Sequence, residues 1–264
     1  MIELVLFNLA LIVAITVALF LVKRYVKTKR GENITLLVAA IVTILFHYST
    51  FLFYAVTGGD AMGYLKDNAN LLMPIYPCNL VMWSCLILAL IRKEDSRLKL
   101  LLTDYIFWFG IISTLVGMFA NVDFINNPTL AVYDTVKSIA AHGTLLFNVL
   151  LLALFGRIKM DFGRNMKNIF ISVVLMYVIG LYLNLVFEVL VSPEAAYDVN
   201  SMFIIHSPFA ALSFLKYPLI ALIGLVLYFI LFTLCDALTH EKGRRFVDRA
   251  GAFIKDKTAK LLKK

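Results

Sequence analysis

Two residues of the sequence, Cys78 and His142, carry the side chains of a nucleophile and its general base. Cys78 directly follows Pro77, and proline is well tolerated at the first position of a helix, so the thiol is expected in the first helical turn. Unpaired backbone N–H groups and the positive end of the helix dipole favour a thiolate there. A nearby imidazole would remove the thiol proton. The two residues therefore predict a Cys/His catalytic pair.

A purely structural interpretation of the same residues stays open. Apolar membrane segments contain many inert cysteines, and a single histidine among them often serves packing or hydrogen bonding. Cys85 and Cys235 are interpreted as such packing residues. The three cysteines form neither a CxxC pair nor a spacing typical of metal ligands, so the sequence predicts no metal site and no cofactor.

Other polar side chains interrupt the apolar stretches, where they are costly and usually face the interior of a helix bundle. The residues predicted to bind substrate are His47, Tyr76, Asn79, Asn184 and Glu188. Asn184 and Glu188 are one helical turn apart and are expected to line one pocket. Asp104 and Asp236 lie toward the other ends of their stretches and are expected to make structural hydrogen bonds or to pair with cations.

Seven apolar stretches must position these residues. Hydrophobic residues make up 61% of the 264 positions and charged residues only 16%, which is unlike a soluble domain. Each stretch is near the roughly 20 residues that cross a bilayer as a helix. The predicted fold is all-α, a polytopic seven-transmembrane-helix bundle. Its predicted spans are 3–22, 34–56, 75–91, 100–120, 136–155, 169–191 and 217–238.

The basic residues indicate which ends of the spans face the cytoplasm. Nearly all of the 25 Lys and Arg residues fall in alternate connections or in the tail, the exceptions being Lys66, Lys137 and Lys216. Positively charged flanks are retained on the cytoplasmic side during insertion. The N-terminus is therefore predicted outside and the C-terminus inside, with the candidate pocket residues in the outer halves of their spans.

Residues 240–264 are basic, with apolar residues at approximately helical spacing. The predicted domains are a transmembrane domain, 1–239, and a basic amphipathic cytoplasmic tail, 240–264. Such a helix lies on the inner leaflet, whereas a partly disordered solvated tail is the alternative. The net charge of +8 would also suit nucleic acid, but the basic residues flank the spans, so anionic inner-leaflet lipid is the predicted partner.

Short motifs resemble the YwaF-type integral membrane proteins of bacteria. They are the run PIYPCNL at 74–80, His142, and the region 184–208. These proteins are related to a eukaryotic membrane acyltransferase that remodels ether phospholipids. In that family the cysteine matching Cys78 is the proposed acyl-carrying nucleophile and the histidine matching His142 is its partner, while Tyr76 stands where a histidine is frequent. The resemblance implies a multi-pass bacterial cell-membrane protein that moves a fatty acyl group between phospholipid and lysophospholipid.

Other function classes stay open beside this one. A lipid hydrolase would use the same nucleophile with water as the acceptor. A small-solute transporter or substrate-binding membrane subunit would use the polar residues of the outer halves to bind a solute, and Cys78→Ser would then be nearly silent. A seven-span receptor is also open, but a retinal protein needs a lysine within the last span, and Lys216 precedes that span.

Overall fold

The computed structural model describes residues 2–93, 95–119, 129–208 and 212–261. The last residue of predicted span 4 and the last three of the predicted tail lie outside these ranges. All regular structure within the ranges is helical. The α-helices are α1 Ile2–Tyr25, α2 Lys29–Thr57, α3 Ala61–Asp67, α4 Pro77–Leu90, α5 Arg97–Phe119, α6 Tyr133–Leu154, α7 Phe162–Leu190, α8 Pro193–Val199, α9 Tyr217–Thr239 and α10 Phe246–Leu261, with 3-10 turns at Ala69–Leu71 and Ser201–Phe203.

Six of the described helices are long and apolar enough to cross a membrane, namely α1, α2, α5, α6, α7 and α9. The third predicted span corresponds to α4, which has 14 residues. At 1.5 Å per residue it is about 21 Å long, shorter than the roughly 30 Å of a hydrocarbon core. The described part of the chain is thus an all-helical, multi-pass membrane protein. The count of seven spans and the side of each terminus stay predictions.

Helices α2 and α7 begin five and seven residues earlier than their predicted spans, at Lys29 instead of 34 and at Phe162 instead of 169. Helix α2 begins at Lys29 because the Thr28 side chain accepts a hydrogen bond from the backbone N–H of Gly31 at 3.0 Å. Helix α7 begins at Phe162 because Asp161 accepts one from the backbone N–H of Arg164 at 3.1 Å. Such caps satisfy N–H groups that have no partner within the helix, so the helix extends through a polar first turn.

Helix α4 packs against α2, α5 and α6. Gly110 of α5 permits this packing, because a β-carbon there would lie 2.5 Å from Val149 of α6 and 3.3 Å from Val81 of α4. One face of α5 therefore contacts both neighbours at the same level. In contrast, most of α1 and α9 is exposed apolar surface, which fits contact with lipid.

The helix ends separate into two groups. The connections that follow Tyr25, Leu90 and Leu154, together with α10, lie at one end of the bundle, named here the basic end. The connections that follow Thr57 and Leu190 lie at the other, the loop-rich end. Contacts such as Thr50 with Asp134 near the loop-rich end fix this arrangement.

A buried polar network joins α5 to α7 near the basic end. The carboxylate of Asp104, only 1% exposed, accepts hydrogen bonds from the side chains of Asn165 at 2.8 Å and Asn168 at 2.6 Å. The guanidinium of Arg164 lies 3.4 Å from the same carboxylate. This confirms the structural hydrogen bonds predicted for Asp104.

We expect Asp104→Ala to lower the thermal unfolding midpoint of the protein in detergent. The two asparagine side chains would lose their acceptor, and each buried polar group left unpaired costs about 1–3 kcal/mol. Asp95→Ala is the matched control because Asp95 is exposed. Equal midpoints for the two variants would contradict the network.

Candidate functional site

Cys78 lies in the first turn of α4, directly after Pro77, and is partly buried. The turn is capped from within, since the side-chain oxygen of Asn79 accepts a hydrogen bond from the backbone N–H of Tyr76 at 3.3 Å. The hydroxyl of Tyr105 approaches the carbonyl oxygen of Pro77 at 3.4 Å. Because α4 is short, this turn begins inside the bundle. Irregular backbone contacts it there, both from the residues just before Pro77 and from the segment around Ser201.

Residues 200–206, named here the re-entrant segment, fold back against the start of α4. The backbone N–H of Met202 donates to the carbonyl oxygen of Ile75 at 2.8 Å, and the Ser201 hydroxyl donates to the same oxygen at 3.1 Å. The rings of Tyr76 and Phe203 stack with centroids 5.4 Å apart. The sequence analysis did not predict this contact, although the region 184–208 belongs to the resemblance.

Asn184 holds the re-entrant segment from α7. Its side-chain oxygen accepts from the backbone N–H of Ser201 at 2.7 Å, and its side-chain N–H₂ donates to the carbonyl oxygen of Ser201 at 3.2 Å. Glu188, one turn farther along α7, is exposed and forms no hydrogen bond or ion pair within the described residues. The structure therefore brings Asn184, but not Glu188, to the start of α4.

His142 lies on α6 with its ring against α5. The ring atom Nδ1 is 2.8 Å from the carbonyl oxygen of Ser138. Since a carbonyl oxygen only accepts, this bond places the proton on Nδ1 of the neutral ring and leaves the lone pair on Nε2. Gly117 of α5 makes room for the ring, because a β-carbon there would lie 2.2 Å from Nε2.

His47 of α2 is close enough to His142 and to Lys137 for electrostatic interaction. Its Nε2 atom is 3.2 Å from the carbonyl oxygen of Asn70, so Nε2 of the neutral ring donates and Nδ1 keeps the lone pair. The two histidines therefore lie near each other at the loop-rich end, each with one ring nitrogen hydrogen-bonded to a backbone carbonyl oxygen.

A polar cluster that sequence reasoning missed flanks the histidines. Asp134 accepts from the hydroxyls of Thr50 at 2.7 Å and Tyr64 at 3.0 Å, and it pairs with Lys137 at 2.7 Å. The Lys137 ammonium also donates to the Tyr64 hydroxyl at 2.7 Å. A signal was present in the sequence, since Asp134 and Lys137 are three residues apart on one helix face and Lys137 departs from the general charge pattern.

The relative depth of Cys78 and His142 follows from the contacts of α5. Val81 and Val149 lie at the level of Gly110, and His142 lies at the level of Gly117. Helix α4 runs antiparallel to α5, so Cys78, three residues before Val81, lies on the loop-rich side of Gly110. His142, at the level of Gly117, lies farther along the same side. At the helical rise per residue, the depths of Cys78 and His142 differ by about 6 Å. Within the described part of the chain no hydrogen bond joins the two side chains. The two residues thus lie about one helical turn apart in depth.

Two cavities lie away from the Cys78 thiol. One of about 10 Å³, with room for about one water molecule, is lined by Cys85, Asn148 and neighbouring apolar residues. The other, an open groove of about 450 Å³ near the basic end, lies between the start of α7 and the first turns of α10. Cys78 lines neither of these two cavities.

We expect Gly117→Ala to lower the unfolding midpoint because the added methyl group overlaps the His142 ring, and overpacking typically costs about 1–3 kcal/mol. In a His142→Ala background the same change should cost much less, since the ring is gone. Gly224→Ala is the control, because the nearest side-chain atom to a β-carbon there is 3.8 Å away. An equal loss for Gly117→Ala in both backgrounds would show that the ring lies elsewhere.

Comparison with known proteins places the whole bundle in one family. A profile of the TMEM164 family matches residues 2–236, from the start of α1 almost to the end of α9. No curated protein matched the chain, and neither did a solved structure. The match spans all of the candidate transmembrane helices rather than a single motif, and so the chain belongs to the TMEM164 family of membrane proteins.

Proposed function

We propose that the protein is a membrane-embedded lipid acyltransferase that moves a fatty acyl group between phospholipid and lysophospholipid through a thioester on Cys78. The observation that carries the proposal is the Cys78 thiol in the first turn of a helix that starts inside the bundle, with His142 about one turn away in depth. The resemblance of the 74–80 motif to the YwaF-type proteins supports the same chemistry.

In the first half-reaction the Cys78 sulfur attacks the carbonyl carbon of a phospholipid acyl ester. His142 Nε2 takes the thiol proton, the C–S bond forms, and the ester C–O bond breaks. The leaving lysophospholipid oxygen takes the proton from His142.

In the second half-reaction the hydroxyl of an acceptor lysophospholipid gives its proton to His142 and attacks the thioester carbonyl. The C–S bond breaks, and the thiolate regains its proton from His142. Water in place of the acceptor would give hydrolysis, so exclusion of water separates a transferase from a lipase. Cys78 is only partly exposed, which limits the approach of water and favours transfer.

The remaining predicted site residues take different places in this proposal. His47 lies beside His142 and Tyr76 precedes the nucleophile, so both are proposed to contact the lipid substrate. Glu188 is exposed at the rim and is proposed to meet the substrate only on entry. The side-chain oxygens of Asn79 and Asn184 accept hydrogen bonds from the backbone N–H groups of Tyr76 and Ser201. This suits a role in holding the first turn of α4 in place.

A solute-binding or transport role is the second candidate, and the Asp134–Lys137 pair is the observation that favours it. The Lys137 side chain is only 13% exposed and lies near His47, as expected for groups that bind a small polar solute. The commitment of Asn184 to Ser201 counts against a pocket shared by all the predicted residues.

The protein is further proposed to lie in the cell membrane of a bacterium, with residues 240–264 as a lipid-binding tail. Helix α10 is anchored at its first turn, where the Phe246 ring stacks on Phe162 at 4.3 Å and the Phe246 N–H donates to Asp236. Val247 and Ile254 remain about 60% exposed. Exposed apolar side chains beside lysines and arginines suit insertion into an anionic inner leaflet.

Acyl transfer by the purified protein in lipid vesicles tests the proposed reaction. With isotope-labelled diacyl phospholipid and unlabelled lysophospholipid, we expect label in the acceptor for wild type and a loss of at least about 100-fold for Cys78→Ala or His142→Ala. Cys235→Ala is the matched control. No transfer by folded wild type across several head groups would overturn the proposal, and a silent Cys78→Ala would favour the solute-binding role.

Hydrogen exchange of α10 in lipid nanodiscs tests the proposed tail contact. We expect slower amide exchange with anionic than with zwitterionic lipid, and a smaller difference at 1 M salt, where the screening length falls to about 3 Å. Exchange in the buried helix α4 serves as the internal control. Equal rates in the two lipids would show that the tail does not bind anionic lipid.

A further inference from the structure

The re-entrant segment contains three residues in left-handed backbone conformation. Asn200, Met202 and Phe203 have φ values of 43°, 54° and 58°. Such conformations are unfavourable for residues with a β-carbon, and they persist only where the surrounding structure imposes them. Their position against the start of α4 therefore needs strong local contacts.

Hydrogen bonds to Ile75 are the first of these contacts. The backbone around Ile75 is irregular, because Pro77 starts α4 only two residues later. An apolar environment offers no water to satisfy such backbone, so its polar groups must find partners within the protein. Ser201 and Met202 both donate to the Ile75 carbonyl oxygen, which ties the segment directly to the residues that precede Cys78.

The contacts of α7 hold the segment from its other side. Asn184 is buried and pairs both of its side-chain polar atoms with the backbone of one residue, Ser201. One turn earlier, Gly180 lets the segment approach the helix, because a β-carbon there would lie 2.8 Å from the β-carbon of Met202 and 2.6 Å from the side chain of Ile204. Met202 is fully buried in this position.

The segment also has its own internal bonding. The side-chain oxygen of Asn200 accepts from the backbone N–H groups of Ile205 at 3.0 Å and His206 at 3.2 Å. Its N–H₂ group donates to the carbonyl oxygen of His206 at 2.9 Å. The segment is thus a compact loop held together by hydrogen bonds of its own.

We infer that residues 200–206 are a strap that fixes the first turn of α4, and that Asn184 is the positioning residue that fastens this strap to α7. Loosening the strap frees the backbone before Pro77 and raises the exposure of the Cys78 thiol. The effect on thiol exposure follows from the fold, whereas the effect on acyl transfer rests on the proposed function. Asn184 acts through Ser201 and Ile75 and does not touch the thiol.

The strap is tested by the rate at which N-ethylmaleimide alkylates Cys78 in the protein reconstituted in nanodiscs. All variants carry Cys85→Ala and Cys235→Ala, so that Cys78 is the thiol that reacts. Asn184→Leu removes the two bonds to Ser201, and Gly180→Ala pushes the segment away without touching them. We expect Cys78 to be alkylated about tenfold faster in both variants. A tenfold change in the equilibrium constant for local opening corresponds to the net contribution of one or two hydrogen bonds. Asn184→Asp, which keeps the acceptor, should give an intermediate rate.

Two matched controls separate loosening of the strap from general loss of stability. Asn8→Leu removes a buried hydrogen bond to Met118 between α1 and α5, away from α4, and should lower the unfolding midpoint without changing the alkylation rate. Gly224→Ala should change neither. Should Asn184→Leu fail to fold, Ser201→Ala removes the single bond from its hydroxyl to Ile75 and gives the same test.

Wild-type alkylation rates for folded Asn184→Leu and Gly180→Ala would overturn the inference. The same holds if Asn8→Leu accelerates alkylation as much as they do. Faster alkylation without acyl transfer by any form of the protein would sustain the strap and overturn the proposed function instead. Where both hold, Asn184→Leu should lower kcat/KM, because the strap positions both the nucleophile and Tyr76, whose ring stacks on Phe203.

Discussion

The backbone before Cys78 obeys one constraint on which the site depends: polar groups in an apolar bundle must be satisfied by the protein itself. Helix α4 begins inside the bundle, so the residues before Pro77 cannot rely on water in the way that a surface loop does. The Ile75 carbonyl oxygen finds its partners in Ser201 and Met202, more than 120 residues away in the chain. The start of α4 and the re-entrant segment are therefore one structural unit.

Glycines set the distances at which this unit and its neighbours pack. Gly110 brings α4 and α6 onto the same face of α5, Gly117 accepts the ring of His142, and Gly180 accepts the re-entrant segment. In a close-packed interior a single methyl group at any of these positions has to displace a neighbour. The relative depth of Cys78 and His142 thus depends on small residues that carry no chemistry of their own.

Polar groups inside the bundle separate into two regions with different chemistry. Near the basic end, Asp104 is surrounded by amide donors and an arginine, an arrangement that fixes α5 to α7. At the loop-rich end, the Asp134–Lys137 pair lies near His47, which in turn lies near His142. The second region lies toward the end of the bundle at which α4 begins with Cys78 in its first turn.

The sequence by itself determined the helical membrane class, most helix positions and the place of Cys78 in a first turn, because hydrophobic runs and Pro77 act locally. It did not predict the polar first turns of α2 and α7, because the pattern of hydrophobic residues does not reveal helix capping by Thr28 and Asp161. Only the tertiary structure decided that Asn184 fastens a distant loop, that Glu188 on the next turn stays exposed, and that Asp134 and Lys137 join the histidines. Helical periodicity assigns a residue to a face, but packing against other helices determines what that face meets.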